Sequence, residues 1–147
     1  MQVKVDFNDH HLIKQFQAMP ETIDRAVRVA VNKVTAEARR EITGSEGLSK
    51  YGRHQAGTPT PSPPGEPPAQ VTTNLRRSIK AYPARKEGFG KYSAYVEPTA
   101  IYARAQELGT ATMPARPFMH PARERMNRKA SKIFRDALYV ELKLKHG

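Results

Sequence analysis

A chain of 147 residues suits one domain built around a single moderate core. At 38% hydrophobic residues and a mean hydropathy of −0.69 that core is economical, and no run reaches the ~18 apolar residues of a membrane span. The absence of cysteine excludes disulfides, thiolate metal sites and cysteine nucleophiles.

Charge is unevenly placed. Residues 71–147 hold +10 of the formal +11. Such an imbalance points to a polyanionic neighbour (nucleic acid, an acidic protein surface or anionic lipid) or to solubility alone. The start, Met1 to Asp6, lacks the apolar core of a signal peptide, so a soluble protein of a cytoplasm is expected.

Val3, Val5 and Phe7 alternate with polar residues, the period of a half-buried strand. After Asn8-Asp9, residues His11 to Met19 suit a short helix with Leu12 and Phe16 on one side. Pro20 opens a long amphipathic helix, with Glu21 and Asp24 in its first turn. Its apolar stripe is Ile23, Val27, Ala30, Val31, Val34, Ala38 and Ile42, and Gly44 ends it.

Residues 44–70 change character, and six of the twelve prolines fall between Pro59 and Pro68. Proline lacks the N–H that a helix or central strand needs, so extended polyproline-like chain is expected. Either this is a loose loop, or Pro59, Pro61, Pro63, Pro64, Glu66, Pro67 and Pro68 form an arm that lies on a neighbouring subunit. On the arm reading, deleting residues 57–69 leaves the fold intact and impairs assembly.

Thr72 to Ser78 form a short capped turn leading into a strand in which Ile79 and Ala81 alternate with Lys80 and Tyr82. Gly88-Phe89-Gly90 turns the chain, and Lys91 to Val96 return, giving a hairpin with Arg85, Lys86 and Lys91 at its tip. Pro98 is expected to open a helix carrying Ile101, Ala105 and Leu108, closed by Gly109. Pro121 starts the last helix, with Met119, Ala122, Met126, Ala130, Ile133, Ala137 and Val140 as its apolar stripe. Arg125, Arg128, Lys132 and Arg135 recur on the opposite face. The predicted architecture is a single α+β domain over residues 1–147. A small antiparallel or mixed sheet packs against a long N-terminal helix and a long C-terminal helix, with a Pro-rich extended loop between them.

Familiar catalytic patterns are missing. The five histidines lack metal-site spacing, and neither a GxSxG elbow nor a GxxxxGK[ST] phosphate loop occurs. Nothing positive favours an enzyme or a cofactor. Nucleic-acid binding has more behind it. Arg125, Arg128, Lys132 and Arg135 could neutralise phosphates without reading sequence, and Tyr82, Tyr92 and Tyr95 could stack on bases. The bland alternatives are a solvated helix face and tyrosines packed in a sheet.

Three ordered stretches carry a family resemblance. The first is Pro63-Pro64-Gly65-Glu66-Pro67-Pro68 followed by Asn74-Leu75-Arg76-Arg77-Ser78-Ile79. Tyr102-Ala103 and Glu107-Leu108-Gly109-Thr110 form the second, and Ala115-Arg116-Pro117-Phe118-Met119-His120-Pro121-Ala122 the third. Over roughly residues 20–142 the chain resembles the small neck or tail-completion proteins of lambda-like long-tailed bacteriophages. Asn74 stands where the family pattern has glycine, and asparagine tolerates positive φ better than most residues.

The resemblance implies a non-enzymatic virion protein, assembled in the host cytoplasm. It would form a homo-oligomeric, six-fold ring between the capsid connector or stopper and the tail terminator or tube, with DNA passing through. Gly109 and Pro117 read as backbone punctuation and Phe118 as an anchor. The rival reading is a free, sequence-nonspecific nucleic-acid-binding protein.

Overall fold

Helix α1 spans Pro20–Thr43, and every residue of the predicted stripe from Ile23 to Ile42 is buried. A computed structural model describes residues 3–7, 20–52, 55, 62–88 and 91–142 of the chain. Glu21 in the first turn and Arg40 in the last suit the helix dipole. The chain then wraps back under α1. The Leu48 N–H donates to the Ile42 carbonyl at 2.8 Å, and Leu48 joins the core at 2% exposure. Only glycine fits at Gly47, where a Cβ would lie 2.7 Å from the Glu41 carbonyl and closer still to that of Ile42.

The sheet has three antiparallel strands, β1 (Val3–Phe7), β2 (Ile79–Gly88) and β3 (Lys91–Pro98), in the order β1-β3-β2. The central strand β3 buries Tyr92, Ser93, Ala94 and Val96. Strand β2 lies at one edge, and its register breaks between Tyr82 and Arg85, around Pro83. Side chains from α1 meet this edge. Asn32 Oδ1 accepts the Ala84 N–H at 2.7 Å, and Arg39 Nε donates to the Ile79 carbonyl at 2.9 Å. An edge strand satisfied in this way is a poor template for unwanted pairing.

Short helix α2 (Asn74–Ser78) leads into β2, and short helix α3 (Ala103–Leu108) follows β3. The last helix, α4 (Met119–Glu141), packs on α1, and α1 also covers β2 and β3. Contacts of Glu41 with Arg125 at one end, and a shared cleft of Glu21 and Glu141 at the other, make the two long helices antiparallel. The architecture is therefore the expected α+β arrangement of a small antiparallel sheet with two long helices.

Several expectations change. Pro98 ends β3, opposite Ile79, instead of opening a helix. In α3 the inward residues are Ala103 and Glu107, while Ile101 is 99% exposed and Leu108 63%. Apolarity misled there because the helix's inner face supplies a carboxylate to α4. On α4, Val140 is exposed, and Phe134 and Leu138 are buried beside Ala137. A straight 3.6-residue helix drifts relative to a fixed three-and-four step, so the contact stripe moves round it. In β2, Ala81 is exposed with Lys80, so the predicted alternation fails near the edge. The helix expected over His11 to Met19 and the turn residues Phe89 and Gly90 lie outside the described residues.

Candidate functional site

Residues from each of the three resemblance stretches meet at the start of α4, whereas Asn74 to Ile79 of the first form α2 and enter β2. The first four N–H groups of a helix lack intrahelical partners. At α4 these belong to Phe118, Met119, His120 and position 121, which is proline and has none. Glu107 satisfies the other three. Its Oε2 accepts from Phe118 at 2.8 Å and Met119 at 2.9 Å, and its Oε1 accepts from His120 at 2.9 Å. The carboxylate is buried, with 4% of the residue exposed, and places negative charge at the positive end of the helix dipole. Phe118, 1% exposed, is a core anchor.

The turn that makes this possible is tight. Gly109 has φ +74°, and a Cβ there would lie 2.8 Å from both the Ala115 nitrogen and the Met113 carbonyl oxygen. Thr110 Oγ1 accepts the Met113 N–H at 3.2 Å, and the Arg116 N–H donates to the Gln106 carbonyl at 2.7 Å. Half-buried Pro117 fixes φ between Arg116 and Phe118.

The Pro-rich segment joins the same junction. The Gly65 N–H donates to the Ala115 carbonyl at 2.9 Å, and Arg116 Nε donates to the Ser62 carbonyl at 3.2 Å. Pro67, Pro68 and Ala69 are buried, and Glu66 pairs with Lys50 at 2.6 Å. Residues 62–70 therefore lie on their own domain, and 44–51 are turns, so neither part is the free extended arm expected for 44–70. Pro63 and Pro64 are exposed; Pro59 and Pro61 lie outside the described residues. Leu75 packs against the core and Ile79 is within it, whereas Arg76 is exposed. Ser78 Oγ donates to the Leu75 carbonyl at 2.7 Å, closing α2. The residue with φ +64° is Thr73, not Asn74, which is already helical.

The seven candidate basic residues separate. Arg125 is half-buried, donating from Nε to Glu41 Oε2 at 2.7 Å and from an Nη to the Glu41 carbonyl at 3.2 Å, and Lys129 also pairs with Glu41. It is thus part of the α1–α4 interface, not of a solvent-facing stripe. Lys132 pairs with Asp136 at 2.8 Å, Lys86 with Asp24 at 2.7 Å and Lys91 with Glu87 at 3.7 Å. Arg85, Arg128 and Arg135 are exposed, with no ion pair among the described residues. The tyrosines are equally divided. Tyr82 and Tyr95 meet in a tilted ring pair across the strands, centroids 5.2 Å apart and planes at 39°, and Tyr92 is in the core. Burial, and then the neighbouring Asp24 carboxylate, push the Tyr92 phenol upward, and its hydroxyl is buried outside hydrogen-bonding geometry.

Burial pushes the Glu41 carboxyl up, but Lys129 and Arg125 outweigh it and leave it below its ordinary value of 4.5. A carboxylate lowered on folding contributes stability that is complete above the unfolded value and is lost as pH falls through the folded one. Stability should therefore decline below about pH 4.5. Glu41→Gln should flatten part of that decline in urea midpoints taken from neutral to acid pH. Asp24, through Lys86, and Glu66, through Lys50, are lowered as well and act in the same direction.

The role of Glu107 escapes local rules, because a capping acid is sought within the helix's own first turn and this one lies on the preceding helix. Compared with known protein families, curated proteins and solved structures, the chain matches none. Among the described residues, no helix is long and apolar enough to cross a membrane.

Proposed function

We propose that this chain is a non-enzymatic structural subunit of the neck of a long-tailed bacteriophage. Like copies form a ring, six-fold as the family resemblance implies, between the head connector and the tail, with the DNA path through its centre. The observation that carries the reading is the use made of the resemblance residues. Glu107, Gly109, Arg116, Pro117 and Phe118 together lock the Pro-rich segment, α3 and the start of α4 into one rigid junction. A signature of this kind preserves a shape and thereby the surfaces presented to neighbours, which is what a ring subunit requires. DNA contact in such a channel would be weak and screened, resting on exposed arginines such as Arg128 and Arg135.

The purified chain, alone and mixed with neck partners, should give a multi-subunit mass by light scattering and rings with a central channel in negative stain. A monomer persisting under every such condition overturns the reading. The rival reading of a free nucleic-acid-binding module would be favoured by monomers that bind duplex DNA at low salt and release it at high salt.

A further inference from the structure

The two edges of the sheet are unequal. Strand β2 is closed to further pairing. Pro83 interrupts it, its register breaks between Tyr82 and Arg85, and α1 occupies its Ala84 N–H and Ile79 carbonyl through Asn32 and Arg39. Strand β1 has none of these devices. It pairs with β3 in unbroken register, from Val3 opposite Val96 to Phe7 opposite Tyr92. It contains no proline or glycine, and no strand among the described residues pairs with its outer side. In an antiparallel ladder, alternate residues turn their N–H and C=O away from the partner strand. A regular edge presenting such a row is a template for another strand.

The sequence of β1 specifies which strand fits. Val3-Lys4-Val5-Asp6-Phe7 is complementary to its own reverse. Set antiparallel to a second copy about Val5, Val5 meets Val5, Lys4 meets Asp6 on both sides of the axis, and Val3 meets Phe7. Opposite charges and apolar pairs directly across a ladder stabilise it, and like charges there destabilise it. The register is therefore selective. Moving the axis to Lys4 or to Asp6 sets like charges opposite each other, and a shift by one residue sets Lys4 against valine. A lone lysine on an edge strand would deter pairing, but Asp6 supplies its complement. The +10 of residues 71–147 does not oppose the contact locally, because β1 itself carries one positive and one negative residue. Helix α1 packs chiefly on β2 and β3, away from the join.

We infer that β1 is a docking edge for a second copy of this chain. Two three-stranded sheets then become one, in the order β2-β3-β1-β1-β3-β2. The contact is isologous and closes on a dimer, so it is separate from the heterologous contacts a six-fold ring requires and does not rest on the ring. A ladder of five residues belongs with the small, reversible interfaces.

The test follows the full chain by sedimentation velocity from about 10 µM to about 1 mM, where a monomer–dimer equilibrium is expected. Asp6→Lys and Lys4→Asp each replace opposite-charge pairs by like-charge pairs on both sides of the axis, and each should weaken the dimer about tenfold. Lys4→Asp combined with Asp6→Lys restores the complement and should return the dimer to within about threefold of the parent. Because the chain lacks cysteine, Lys4→Cys and Asp6→Cys report position directly. Mixed and oxidised, these two variants should give a disulfide-linked dimer containing one copy of each. Either variant alone should link far more slowly, since like positions stand two residues out of register and beyond the ~7 Å Cα reach of a disulfide. A monomer throughout the concentration range overturns the proposal. So does a charge swap that fails to restore the dimer, or a single cysteine variant that links as fast as the mixture.

Discussion

Replacing Glu107 with alanine should destabilise the fold by about 4 kcal/mol, close to half the stability of a typical small domain. The estimate follows from the donors left behind. Phe118 and Met119 are almost wholly buried, so water cannot replace the carboxylate at their N–H groups. Each buried donor without a partner costs roughly 1–3 kcal/mol. The His120 residue is exposed, and its N–H can turn to solvent at little cost. Losing the charge at the helix N-terminus adds up to ~2 kcal/mol in a buried setting. Glu107→Gln is the informative companion. Its carboxamide oxygen can keep Phe118 and Met119 while its amino group opposes the His120 N–H, for a loss of about 1–2 kcal/mol. Urea midpoints of the three proteins, with amide exchange at the first turn of α4, measure this. An alanine variant within about 0.5 kcal/mol of the parent would show that the junction is held by packing alone.

This residue also marks where sequence reasoning stops. Helix α1 was legible to its last turn because one apolar stripe, one proline and one glycine all indicate the same 3.6-residue object. The α+β class followed for the same reason, since strand and helix periods alternate along the chain. At α3 the rule inverted. Six residues with Ala103 and a carboxylate facing inward have no apolar stripe to detect, so Ile101 and Leu108 looked like core and are surface. Arg125 presents the reverse case. Its spacing from Arg128, Lys132 and Arg135 suggested one basic face, but 3- and 4-residue steps sweep an arc, and one end of that arc reaches Glu41 on α1. Partners distant in sequence decide both cases, and periodicity carries no information about them. Leu48 was lost for a related reason: Gly44 correctly ends the helix, yet the wrap through Gly47 returns the chain to the core four residues later.

The Pro-rich segment supplies the second large effect. Exchanging residues 63–68 for a Gly/Ser linker of equal length should cost about 4 kcal/mol, where a detached arm would cost nothing. Length is kept so that the loop closes as before and only the identity of the chain changes. Two contributions add. Pro67 and Pro68 are buried, and withdrawing a side chain of that size from the interior forfeits ~1–2 kcal/mol each. Replacing proline by glycine also widens the unfolded ensemble, worth ~0.4–1 kcal/mol at each position. Exposed Pro63 and Pro64 contribute mainly the second kind, so serine at those two sites alone should lower stability by only about 1 kcal/mol. The expectation that deleting residues 57–69 spares the fold therefore gives way for the part from Ser62 onward, which is built into the junction through Gly65, Arg116 and Ala69. Chemical denaturation separates the cases. A linker variant as stable as the parent would return the segment to the status of an appendage. A variant that loses stability as expected makes the segment a strut: it is not extended polyproline chain but a turn, in which the Glu66 N–H donates to the Pro63 carbonyl at 3.2 Å and Gly65 has φ +84°, and this turn keeps Ser62 and Gly65 against Ala115 and Arg116, and so holds the start of α4 where Glu107 can reach it.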